Sequence, residues 1–229
     1  MQPVVNTEQG QNMRRVTREE YPLETLQRAV NSVTFFKDLI HHDSAQFELL
    51  MSVTQFVTAD NEEVIIKKGE NANILYFLLK GQLTVLSGDE RSEVIGEINP
   101  GEMFGVMAML LNFKRSASIK VNSKNALLVG IDFQHFSDIE DFSLFSMETK
   151  ISFFRMLANN LRWTLERNKM QMPDHPLVAS LRKIPLISAP KNTEEELQAL
   201  HQQTHALADL VREWNESLSE DREGEWLRF

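Results

Sequence analysis

The stretch FGVMAMLLNFKRSASIKV, Phe104 to Val121, decides how this chain is read: a glycine turn, a short apolar run, an arginine and then a strand-like run. Gly105 lets the backbone approach a bound group closely. Met107, Ala108 and Met109 read as the opening of a short helix, whose free N–H groups and positive dipole end face an anion. Arg115 adds a guanidinium able to hold anionic oxygens by charge-assisted hydrogen bonds. Ser116 adds a further hydroxyl donor.

Working outward, residues Gln55 to Phe133 consist of short β-branched and aromatic runs: FVTA, EEVIIKK, ILYFLLK, QLTVLS, SEVIGEI, SASIKV and ALLVGI. Asn61, Gly69, Gly81, Gly88 and Pro100-Gly101 separate them. Short strands at this spacing predict an antiparallel sandwich or barrel, here a β-roll. Before the roll, residues up to about Tyr21 are polar and unpatterned, a tail or a strap. Leu23, Leu26 and Val30 then recur at helical spacing, and Asp43 with Gln46 forms a capping box for a short helix through Leu50. His41 and His42 fall in the loop before that cap.

After Asp132 the helical period returns. Ile151, Phe154, Ala158, Leu161, Leu165, Asn168 and Met172 form an a/d seam with one polar member. The seam either pairs with a second copy or packs on its own chain; a dimer helix is the reading adopted. Pro173 ends it, and Pro173 to Lys191 reads as a kinked connector without a regular element. Thr193 and Glu196 cap a final helix, whose heptad runs through Leu197, Leu200, Thr204, Leu207, Val211, Trp214 and Leu218. The expected division is a tail at 1–22, the roll domain at 23–142, a dimer helix at 143–172, and a linker with C-terminal helix at 173–229.

The 229 residues carry 24 Lys/Arg against 33 Asp/Glu, a formal charge of −9, which disfavours a surface built for nucleic-acid phosphates. With no cysteine, disulfides and thiolate zinc sites are excluded. The start of the sequence lacks a secretory pattern and the apolar runs are too short to cross a bilayer, so a cytoplasmic location is expected, with no membrane partner.

The ordered set of IKKGE (Ile66 to Glu70), YFLLKGQLTV (Tyr76 to Val85), INPGEMFG (Ile98 to Gly105) and Arg115-Ser116-Ala117 resembles the glycine turns and phosphate-binding cassette of the cyclic nucleotide-binding domain family. The resemblance covers roughly Leu23 to Met172. It implies an α+β fold: an antiparallel, jelly-roll-like β-roll with flanking helices, a long dimer helix and here a C-terminal helical extension. It also implies cAMP or cGMP as ligand, held by Gly105, Val106, Met107, Ala108, Arg115, Ser116 and Ala117. One position departs from the pattern. The family's cassette starts Phe-Gly-Glu, where the glutamate accepts from the ribose 2′-hydroxyl, and this chain has Phe104-Gly105-Val106. Loss of a hydrogen bond to a charged group, worth about 1.5–3 kcal/mol, weakens an ordinary cyclic mononucleotide by about ten- to over a hundredfold. A cyclic dinucleotide using Arg115 differently, or a scaffold without ligand, are the alternatives. Alignment with the catabolite activator branch places Thr164 at the base-contacting position, beside Trp163, which is able to stack on a purine.

Other signals carry less. His201 and His205 in HQQTH lack the glutamate of a zincin and a third ligand, so a solvated helix face is expected and no metal. No catalytic arrangement stands out, so no enzyme and no cofactor are expected. From Asp174 to Phe229 there are six Lys/Arg against eleven Asp/Glu, and the last helix lacks the turn of a helix-turn-helix, so DNA is not an expected partner. The expectation is a nucleotide-sensing regulatory homodimer that signals to a protein partner through its C-terminal helix.

Overall fold

A computed structural model describes residues 14–16, 30–89 and 92–226. The tail through residue 13 and the helical spacing at Leu23 and Leu26 lie outside the described residues. The chain divides into two compact units, one running to Ala108 and including Lys114–Asp132, the other comprising Met109–Phe113 and the chain from Phe133 onward.

The first unit holds two antiparallel sheets. One contains β1 (Arg14–Val16), β2 (Gln55–Asp60), β4 (Ile74–Lys80), β7 (Met103–Phe104) and β9 (Asn125–Asp132), ordered β1-β2-β9-β4-β7. The other contains β3 (Val64–Ile66), β5 (Leu83–Leu86), β6 (Val94–Ile98) and β8 (Ser118–Val121), ordered β3-β8-β5-β6. Alternation along β4 explains the packing. Tyr76 and Leu78 join Val57, Ile65, Leu83, Phe104 and Leu128 in the core of the roll. Phe77 on the opposite face meets Phe36, ring centroids 5.0 Å apart. Phe36 belongs to α1 (Thr34–His42), which precedes α2 (Ser44–Val53).

The Asp43 cap is present, its side chain accepting from Gln46 N at 3.0 Å. His41 and His42, expected in a loop, form the last turn of α1. That helix carries no N-terminal capping side chain, so the usual start signal is missing. Residues 14–16 of the expected strap are a strand: β1 pairs Arg14 with Thr58 and Val16 with Phe56. The turn glycines Gly69, Gly81, Gly101 and Gly105 all have positive φ, the conformation for which glycine is the least costly residue.

The second unit is helical: α4 (Gln134–Ser137), α5 (Met147–Gln171), α6 (Leu177–Lys183) and α7 (Glu194–Trp226). As a compact unit it takes in the chain from Phe133 onward. The cause is aromatic: Phe133 stacks on Phe153, and Phe136 lies between Phe145 and Phe153 with centroids 4.6 and 3.9 Å away. Ser146 caps α5 by accepting from Thr149 N at 3.2 Å.

α5 packs along α7, and Ile151, Phe154, Ala158, Leu161 and Leu165 of the seam are buried with Leu197, Leu200, Leu207, Val211 and Trp214. A helix of the same chain therefore covers the face expected to pair with a second copy. The connector expected after Pro173 contains a regular element, α6, because Pro176 at its N-cap already has a helical φ of −55° and Val178 and Leu181 are buried. Among the described residues no helix is long and apolar enough to cross a membrane.

Candidate functional site

Three motifs distant in sequence converge on Arg115. The IKKGE turn is tied to it through the backbone: Gly69 N donates to Arg115 O and Arg115 N donates to Glu70 O, both at 2.8 Å. The tie is extended by Ser118, whose Oγ accepts from Lys68 N at 3.0 Å and donates to Gly88 O. The guanidinium then reaches two further segments. Nη1 donates to Gly105 O at 3.0 Å and Nη2 donates to Ile74 O at 2.7 Å.

Gly105 is required for this approach. Its φ is +87°, and a Cβ there would lie 2.3 Å from Arg115 Nη1. A side chain at this position would push the guanidinium away.

Arg115 is 7% exposed. Burial pulls its pKa below the ordinary arginine value, and Tyr76 and Glu70 partly offset that. Two carbonyl bonds leave guanidinium N–H donors for another acceptor. The space beside it is a cavity of about 250 Å³ lined by Ile65, Ile66, Glu70, Asn71, Asn73, Ile74, Tyr76 and Arg115. A charged donor, two amides, a carboxylate and an aliphatic and aromatic wall thus face one space. Such a set suits an anionic ligand with polar and flat apolar parts.

The remaining residues read from the sequence fall as follows. Val106 to Leu110 form α3, a helix of five residues. Val106, at 5% exposure, and Ala108, at 8%, are buried, and Met107 is half-buried. These side chains, with Gly105, Ser116 and Ala117, are not among the residues that line the cavity. Ser116 is exposed and Ala117 half-buried. Glu102 is held in its own turn, accepting from Asn99 N at 2.6 Å.

Trp163 and Thr164 lie on α5, in the helical unit. Trp163 is 63% exposed, and Thr164 Oγ1 donates to Asn160 O at 3.1 Å, within its own helix. The His201 and His205 rings lie 4.4 Å apart, tilted by 48°, with Phe154 edge-on to His201. No cluster of metal-ligating side chains exists among the described residues. Asn71, Asn73 and Tyr76 were not singled out as ligand residues from the sequence. Glu70 lay within the quoted IKKGE turn, the available pointer to that wall.

Comparisons with known proteins agree with the roll. Residues 56–140 match the family model described as the cyclic nucleotide-binding domain. A cGMP-dependent protein kinase of Eimeria tenella is 29% identical over 96 residues, 42% of this chain and 9% of that protein. A putative potassium channel protein of Rhodopseudomonas palustris is 31% identical over 100 residues, 44% of this chain and 24% of that protein. The chain therefore spans a tenth to a quarter of these relatives. The crystal structure of a cyclic nucleotide-binding domain from Methylobacillus flagellatus has the same fold, with a TM-score of 0.53 and 16% identity over 70% of this chain and 88% of that one. The match to the cyclic nucleotide-binding domain is thus confined to residues 56–140, within the roll.

Proposed function

We propose that the protein is a non-catalytic regulator that binds a cyclic mononucleotide, cAMP or cGMP, at Arg115 and passes the bound state to a protein partner through its helical unit. The observation that carries this reading is the buried guanidinium facing the 250 Å³ cavity, with donors left over after its two carbonyl bonds. Ligand pockets usually measure about 300–1,000 Å³, and a cavity just below that range favours one nucleotide over a cyclic dinucleotide. The phosphate takes the guanidinium, while Glu70, Asn71, Asn73 and Tyr76 supply contacts to sugar and base.

The division of the cassette between the two units supports a route for the signal. Met109–Phe113 cluster with the helical unit, whereas Lys114 and Arg115 cluster with the roll. Phe113 is 53% exposed on one side, and Arg212 of α7 lies over its ring at 5.4 Å. In this reading a ligand acts on Arg115, two residues along the chain from Phe113, over whose ring Arg212 lies. Such a switch works only where the ligand binds one arrangement better than the other. Because α7 fills the α5 seam, a homodimer would use the opposite face of α5, where Trp163 and Met170 are 63% and 65% exposed.

A second reading is favoured by one observation, the burial of Val106, which offers no acceptor to a ribose hydroxyl: the roll is then an adaptor without ligand. Calorimetry with cAMP, cGMP and a cyclic dinucleotide separates the two. Saturable binding of a mononucleotide supports sensing, and no heat from any of them, with a folded sample, supports the adaptor. Val106→Glu sharpens the outcome. If its carboxylate reaches the site, mononucleotide affinity rises about tenfold or more; an adaptor remains silent.

A further inference from the structure

The sensing reading makes no use of a second groove, which lies wholly within the helical unit between residues 139–142 and the first turns of α7. Its volume is about 260 Å³, and its lining is Ile139, Glu140, Phe142, Glu194, Leu197 and Gln198. The floor is apolar, with Leu197 buried and the Phe142 ring still 41% exposed. The rim is acidic. Among the described residues neither Glu140 nor Glu194 has an ion-pair partner.

The neighbouring charges do not neutralise that rim. Asp138 and Asp141 use their carboxylates on local backbone, accepting from Glu140 N and Ser143 N at 2.9 Å each. Lys150, 5.7 Å from the Phe142 centroid, is 1% exposed, and its ammonium donates to Asp138 O and Asp141 O. It takes up one face of the Phe142 ring, bonds those two carbonyls and is not among the residues that line the groove. The surrounding chain adds to the negative field, with sixteen Asp/Glu against ten Lys/Arg from residue 133 to 226.

An exposed ring beside unpaired carboxylates over an aliphatic floor matches one side chain better than any other. A guanidinium stacks its plane on an aromatic face while its fork donates to a carboxylate. An ammonium offers only a point charge, and phosphates, acidic peptides and anionic lipid surfaces are repelled. We propose that this groove docks a short arginine-bearing segment of a partner protein, with an aliphatic residue beside the arginine filling the floor over Ile139 and Leu197.

The test uses the full chain and fluorescein-labelled peptides GLRRLG, GLKKLG and GLEELG, followed by fluorescence anisotropy. The arginine peptide binds saturably and more weakly as salt rises, the lysine peptide binds about threefold or more weakly than it, and the acidic peptide does not bind. The double variant Glu140→Gln/Glu194→Gln lowers arginine-peptide affinity about tenfold or more, and Phe142→Ala lowers it about threefold or more. These side chains are exposed, so circular dichroism of the variants remains that of the parent. No binding of GLRRLG, equal binding of GLKKLG, or undiminished binding to the double variant overturns the proposal. The readout involves no nucleotide, so its failure leaves the reading of Arg115 untouched.

Discussion

Among the described residues each unit buries one cation on two backbone carbonyls, and the two cations have different surroundings. Arg115 in the roll bonds Gly105 O and Ile74 O, and Lys150 in the helical unit bonds Asp138 O and Asp141 O. Burial lowers the pKa of both, offset in each case by nearby negative or polar groups. Of the two, Arg115 is in the lining of the roll cavity, and Lys150 is in the lining of neither cavity described above. Arginine retains about three N–H donors after two bonds and keeps its charge in any accessible pH range, whereas an ammonium retains one, and here it joins two chain segments. Burial of a charge alone therefore does not mark a site; burial together with unspent donors and adjoining space does.

The largest expected effect tests the roll side of this contrast. Arg115→Ala removes the charge-assisted contacts and lowers cAMP affinity about a hundredfold or more in calorimetry. Lys150→Met tests the other side, since it removes the buried ammonium from the Asp138 and Asp141 carbonyls. It costs about 2–4 kcal/mol in urea unfolding while mononucleotide affinity stays within about threefold of the parent. If Lys150→Met abolished nucleotide binding in a folded sample, the distinction between the two cations would fail.

Smaller effects sharpen the description of the helical unit. Glu196 is 5% exposed; its Oε1 pairs with Arg155 Nη2 at 2.5 Å and its Oε2 accepts from Asn192 N at 2.7 Å. The Arg155 side chain is 43% exposed, so solvent screens part of the pair. Glu196→Ala should cost about 2 kcal/mol by urea unfolding, mostly through the lost cap of α7.

The smallest effect is on pH dependence. Burial first, and His205 second, hold the His201 imidazole below its ordinary pKa. The unfolded chain then takes up the proton before the folded one, so this contribution is complete above about pH 6.5 and is lost as pH falls through the lowered folded value. The drop in Tm between pH 7.5 and 5.5 should shrink in His201→Gln; an unchanged drop would remove His201 from the account.

The strands were legible because glycine turns divide them into runs whose alternation survives in the packing, as along β4. Elements without such punctuation were not. The two-residue β7 and three-residue β1 are too short to carry a period. α1 starts without a capping side chain, and α6 starts at a proline that also reads as a breaker. The periodicity of α5 announced a buried face, but a seam does not name its occupant, and α7 proved to supply it. At the site, Arg115 and Gly105 stood out as a local string. The wall at Asn71, Asn73 and Tyr76 depends on the backbone tie between Gly69, Glu70 and Arg115, a long-range pairing that no local pattern encodes.

The central claim is that Arg115 is an anion receptor and not merely a link between a turn and a strand. A crystal structure of the protein with saturating cAMP, compared with one purified without added nucleotide, tests it directly. The account predicts a phosphate oxygen within hydrogen-bonding distance of the Arg115 guanidinium, with the purine and ribose in the space bounded by Glu70, Asn73 and Tyr76. A guanidinium still devoted to Gly105 O and Ile74 O, beside a cavity holding only water at saturating cAMP, would contradict it.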